Sequence, residues 1–62
     1  MMNNIQNIRI IKGMTQQELS EQANISRTGL SLIETGAAEP RIETVKKIAQ
    51  ALNVPWQTLI ED

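Results

Sequence analysis

The chain has 62 residues, room for one domain and no more; a domain of this size buries only about 60% of the surface its unfolded chain exposes, which favours a core made of helices with local contacts. Cysteine and histidine are absent, which excludes a disulfide framework and the usual zinc ligands, so no metal and no cofactor is expected. Six Lys and Arg stand against seven Asp and Glu and the pI is near 5.3, which excludes a strongly basic nucleic-acid binder but not one that relies on local charge and helix ends.

The first helix is predicted from about Ile5 to Lys12. Asn3 or Asn4 offers a short polar side chain for a free N–H of the first turn. Ile5 and Ile8 share a face at i, i+3 spacing and Ile11 continues it. Ile5, Ile8, Ile10 and Ile11 cannot all occupy one narrow stripe, so at least one reaches solvent or a partner. Gly13 stands where a helix turns left-handed to stop. Met14 follows as a core candidate.

The second helix has the clearest start. Thr15-Gln16-Gln17-Glu18 is a capping box, Thr15 serving the N–H three residues on and Glu18 reaching back. Leu19 and Ala23 stack inward, and Asn24, tolerant of the left-handed conformation, ends the helix. Ser26 caps a third helix whose first residue is Arg27, with Leu30 and Ile33 as its buried stripe and Gly36 as its stop. The turn of about three residues between these helices suits a helix-turn-helix crossing.

Ala37-Ala38-Glu39-Pro40 reads as a loop. A fourth helix runs from about Ile42 to Leu52, with Ile42, Val45, Ile48, Ala49 and Leu52 as its apolar face. Asn53 stops it. Pro55 suits the first position of a fifth helix carrying Trp56, Leu59 and Ile60. No strand, repeat or low-complexity segment is signalled, so residues 1–62 are expected to form a single all-α, five-helix domain.

No apolar run approaches the ~18 residues of a membrane span. The N-terminal Met1-Met2-Asn3-Asn4 lacks a signal peptide's basic and apolar regions, so a cytoplasmic protein without membrane contact is expected. One Trp with no Phe or Tyr leaves almost nothing for stacking on single-stranded bases. No catalytic group is expected: only scattered carboxylates, lysines and hydroxyls remain as acid, base or nucleophile. A domain this small is not expected to hold a pocket of the usual ~300 Å³ or more, nor a small-molecule ligand.

The text QQELSEQANISRTGLSLIETG, from Gln16 to Gly36, resembles the helix-turn-helix of the lambda-repressor-like family, also called Cro/cI or XRE. Thr15-Gln16 opens the second helix, Ile25-Ser26 turns into the third, and Ile33-Glu34-Thr35-Gly36 closes it. A Pro, an amphipathic helix and an apolar closing segment follow, so the likeness extends from Ile5 to Ile60. It implies a transcriptional regulator, most often a repressor, that binds duplex DNA. It also implies that Gln16, Thr35 and Arg41 fall where the family meets the DNA backbone or minor groove, and that Arg9 and Glu34 form a structural salt bridge. Ser20, Asn24, the Ala37-Ala38-Glu39 loop and Arg41 depart from the family pattern; the loop removes positive charge, and Arg41 replaces a Ser that would cap the fourth helix.

The residues agree with the likeness. With Leu30 and Ile33 facing inward, Arg27, Thr28, Ser31 and Leu32 must face outward. The start of such a helix enters the major groove, where Arg reads guanine O6 and N7. Thr28 and Ser31 can hydrogen-bond a base, and Leu32 can press on a thymine methyl. The free N–H groups where the second helix starts, and those beside Ser26, suit phosphate. Gly29 leaves the outer face without a side chain, which permits close approach of a duplex. Trp56 either packs at the core edge or joins Ile60 in a dimer contact. A homodimer is expected on an operator whose half-sites lie about 34 Å apart. The rival class is a protein-interaction or antitoxin-like module with weak DNA binding, which near-neutral charge favours and the salt dependence of binding discriminates.

Overall fold

The computed structural model describes residues 2–61. Four α-helices, α1 (Ile5–Ile11), α2 (Gln16–Ala23), α3 (Arg27–Thr35) and α4 (Ile42–Leu52), precede a short 3-10 turn at Trp56–Leu59. Two-residue strands, β1 (Met2–Asn3) and β2 (Ile60–Glu61), pair antiparallel with Asn3 opposite Ile60.

Each helix boundary has a local chemical cause. Asn3 Oδ1 accepts from the Ile5 N–H at 3.2 Å and so opens α1, whereas Asn4, at the cap position itself, makes no capping bond. Gly13 at φ +73° turns the chain after α1. The capping box of α2 is complete: the Glu18 N–H donates to Thr15 Oγ1 at 3.0 Å and the Thr15 N–H to Glu18 Oε1 at 2.9 Å. Asn24, Gly36 and Asn53 end α2, α3 and α4 in the left-handed conformation. Ser26 Oγ accepts from the Gly29 N–H at 2.9 Å and starts α3, while Arg41 leaves α4 without a side-chain cap.

The core draws on every helix. Ile5, Leu19, Leu30, Val45, Ile48, Leu52 and Leu59 are all but sealed from solvent. Each such aliphatic side chain contributes about 1.5–3 kcal/mol by burial, which a chain too short for a second layer cannot forgo. Two expectations about this core need correction. At about 100° per residue Arg9, not Ile11, returns to the face of Ile5, and Ile11 is 80% exposed with Ile10 at 59%. Ile42, expected at the head of the α4 stripe, is 45% exposed.

The closing segment also differs from a fifth α-helix. Pro55 is extended at ψ 139°, and the Thr58 N–H closes a three-residue turn onto the Pro55 carbonyl at 3.0 Å. Ile60 then returns to extended backbone at φ −108°, ψ 130°. There it lies opposite Asn3, and the Asn4 N–H donates to the Leu59 carbonyl at 3.1 Å. Pairing with the chain's other end gives these main-chain groups partners that one more helical turn would have had to supply. Asn3 extends the link by donating from Nδ2 to the Ile33 carbonyl at 3.1 Å, so the β1–β2 ribbon is tied to the last turn of α3.

Candidate nucleic-acid interface

Burial of Leu30 and Ile33 fixes how α3 rolls on the body of the domain. Arg27, Thr28 and Leu32 are consequently exposed and Ser31 half-buried. Together with Gln16 at the start of α2 they line one open groove of about 310 Å³. Four outward residues of α3 and one of α2 thus meet on a single surface. Arg27 is the one cationic side chain in that lining.

The remaining candidates do not line this groove. Ser26 is exposed, and its hydroxyl oxygen is engaged by the Gly29 N–H. Thr35 is exposed at the far end of α3, its hydroxyl donating to the Leu32 carbonyl at 3.1 Å. Arg41 is exposed just before α4. Trp56 and Ile60 are half-buried at the edge of the core; Lys46 Nζ sits 5.8 Å from the Trp56 ring centroid, within cation–π range. Gly29 has an internal role beside any external one. A β-carbon there would lie 2.8 Å from Ser26 Oγ, so the bare position leaves room for the hydroxyl that caps α3.

Behind the groove lies a buried ionic cluster. Arg9 Nε and Nη2 donate to Glu34 Oε2 at 2.7 Å and Oε1 at 3.1 Å, and Arg9 Nη1 donates to the Met14 carbonyl at 2.8 Å. The side chains of Arg9 and Glu34 are 10% and 1% exposed. Gln16 Nε2 donates to Glu34 Oε1 at 2.9 Å. The attachment of Gln16 to this cluster, and the part played by the Met14 carbonyl, have no signature in local sequence: the partners stand 18 and five residues apart in different elements.

Glu18, by contrast, is at the surface, and the Thr15 backbone N–H followed by the Thr15 hydroxyl holds its carboxyl below the ordinary value of 4.5. A second open cleft of about 570 Å³ separates the end of α2 from α4, lined by Gln22, Asn24, Lys47 and Gln50 among others. Both concavities exceed the ~300 Å³ expected to be out of reach for so small a domain, but each is an open surface groove and not an enclosed pocket. Among the described residues no three of Asp, Glu, His and Cys gather as metal ligands, and no helix is long and apolar enough to cross a membrane.

A family model described as Helix-turn-helix matches residues 5–59. The chain belongs to the lambda-repressor-like (XRE) helix-turn-helix family. This helix-turn-helix protein is 37% identical over 54 residues to the HTH-type transcriptional regulator YqaF of Bacillus subtilis strain 168, covering 87% of the present chain and 71% of that relative. It is 28% identical over 58 residues to the cryptic phage CTXphi transcriptional repressor RstR of Vibrio cholerae, covering 94% and 52%. Its fold matches the N-terminal DNA-binding domain of SinR from Bacillus subtilis at a TM-score of 0.86 and 32% identity, over 95% of this chain and 87% of that one. The wild-type restriction-modification controller protein C.Esp1396I matches at 0.79 and 37%, over 82% and 66%. The helix-turn-helix unit therefore accounts for nearly all of the SinR domain and about two thirds of the controller. With these relatives, the chain is a DNA-binding transcriptional regulator.

Proposed function

We propose that this chain is a sequence-specific repressor in the cytoplasm that lays the start of α3 in the DNA major groove and occupies its operator as a homodimer. The observation that carries this reading is the shared groove of Gln16, Arg27, Thr28, Ser31 and Leu32. A nine-residue α3 is about 14 Å long and suits a groove about 12 Å wide. Arg27 donates to guanine O6 and N7, Thr28 and Ser31 hydrogen-bond base edges, and Leu32 packs on a thymine methyl. Gln16, Ser26, Thr35 and Arg41 meet the sugar–phosphate backbone and set the register without reading sequence.

Size allows the dimer. The domain measures 26 × 21 × 19 Å, less than the roughly 34 Å between half-sites one DNA turn apart, so two copies can occupy them without overlap. The test is selection of bound duplexes from a random pool, followed by affinity measurements across a salt series. A defined two-fold motif and a log–log decline of affinity with salt are expected. A flat salt response with no motif would favour the second reading, a protein-interaction module, to which the exposed Ile10 and Ile11 point.

A further inference from the structure

We infer that Glu34 is a positioning residue for DNA binding, acting through Gln16, and not solely half of a structural ion pair. This rests on the proposed role of Gln16 as a contact to the DNA backbone. The geometry is a relay across three elements. Arg9 of α1 fixes both oxygens of the Glu34 carboxylate, at 2.7 and 3.1 Å, and is itself braced on the Met14 carbonyl at 2.8 Å. The carboxylate, 1% exposed, has little freedom left. Its Oε1 takes one hydrogen of the Gln16 amide at 2.9 Å. A side-chain amide has two N–H donors and a carbonyl acceptor, so the second N–H and the carbonyl remain for a ligand in the groove that Gln16 lines.

Two consequences follow from elementary chemistry. A carboxylate only accepts, so it forces the amide to present nitrogen inward and settles an orientation that an isolated Gln would leave undecided. A long Gln side chain otherwise loses much rotamer freedom on gripping a phosphate; here the buried acceptor imposes that order before DNA arrives, and preorganisation of this kind strengthens binding. Glu34 thus contributes to affinity without touching DNA, and its contribution vanishes when Gln16 is removed.

That dependence is the test. Arg9→Leu/Glu34→Leu replaces the ion pair with apolar bulk, a change that buried pairs often tolerate, and frees Gln16 from its acceptor. Affinity for the selected operator is measured for the parent protein, Gln16→Ala, the Leu pair, and the Leu pair combined with Gln16→Ala, each first shown to be folded by circular dichroism. The Leu pair is expected to weaken binding by about 3- to 10-fold, as for lost side-chain order, with almost no further loss when Gln16→Ala is already present. Equal losses in both backgrounds, or no loss at all, would overturn the proposal. A readout on the free parent protein stands whether or not the Leu pair folds. The Gln16 side-chain amide is expected to be rigid on the picosecond–nanosecond scale by NMR relaxation, and an amide as mobile as that of an exposed Gln would overturn the proposal equally. Failure of the parent protein to bind any duplex would instead sink the functional reading on which the relay depends.

Discussion

Ser26 Oγ accepts from the Gly29 N–H at 2.9 Å and lies 2.8 Å from the point where a β-carbon on residue 29 would sit. The cap and the bare position are therefore one device. Ala in place of Gly in a helix is worth about 1 kcal/mol, and an N-cap hydroxyl about as much. Gly29→Ala is expected to leave stability nearly unchanged in the native sequence, because the new methyl displaces the cap. In a Ser26→Ala background the same change should stabilise by about 1 kcal/mol. Urea midpoints of the four proteins check this, and equal effects of Gly29→Ala in both backgrounds would contradict it.

The ion pair behind the groove gives an asymmetric prediction. Removing one partner of a buried pair costs about 3–5 kcal/mol, since the survivor is stranded, whereas replacing both with apolar groups is often neutral. A 62-residue domain has roughly 3–9 kcal/mol in total. Glu34→Ala should therefore lower Tm by at least about 12 °C, and Arg9→Leu/Glu34→Leu should recover most of it. Comparable losses for the single and the paired change, read by thermal melts, would mean that packing and not charge sets the penalty.

Local chemistry is legible in the sequence and long-range chemistry is not. The capping box at Thr15, the left-handed stops at Asn24 and Gly36 and the Leu30/Ile33 stripe depend on residues within one turn of each other, so their text is their structure. The outward row of α3 follows from that stripe. Arg9 and Glu34 are signalled only by family likeness, because a pair 25 residues apart leaves no local pattern. The end of the chain departs from a helix for the same reason. Pro55 and the apolar residues after it suit a helix locally, but the pairing of Ile60 with Asn3 is decided by two termini meeting. Ile11 is apolar and so reads as an inward residue, yet Arg9 takes that face with its charge neutralised inside.

Stability should respond to acid through the α2 cap. The Glu18 carboxyl titrates below 4.5 in the folded chain because the Thr15 N–H and hydroxyl favour its charged form. A depressed folded value means that the stabilisation is complete above the ordinary Glu range and is lost as pH falls through the folded value. Glu18→Gln keeps an oxygen that can accept from Thr15 but cannot ionise. The native protein should be the more stable at pH 7, and the gap should narrow at about pH 3, below the ordinary Glu range. A gap of constant size across denaturation curves at both pH values would rule out the charge as its source.

Base reading and backbone gripping should separate cleanly by variant. Arg27→Ala is expected to flatten one base-pair position per half-site in the selected motif, at a cost of about 1–3 kcal/mol for the favoured base. Gln16→Ala, at a neutral residue, should weaken every duplex about equally and leave the salt slope alone. Arg41→Ala should also act uniformly, but with a slope smaller by about 1, because one phosphate no longer meets a cation. An unaltered motif for Arg27→Ala, with binding intact, would place Arg27 outside the base-reading set.

Trp56 provides the readout for the proposed dimer. It is the sole tryptophan, with no tyrosine or phenylalanine to confuse its emission, and it stands half-buried with Lys46 over its ring. A two-fold contact through Trp56 and Ile60 would exclude water from the exposed part of the indole. Its emission should then move to shorter wavelength as the concentration of free protein rises, or when operator is added. Trp56→Ala, once shown to be folded by circular dichroism, should bind a single half-site as well as the parent and lose the steepness of full-operator titration. Emission that stays constant while sedimentation reports a dimer would place the contact on another face. The α1 surface bearing Ile10 and Ile11, 59% and 80% exposed, would then be the first to test, since an aspartate at either position would split a dimer formed there and leave one formed through Trp56 intact.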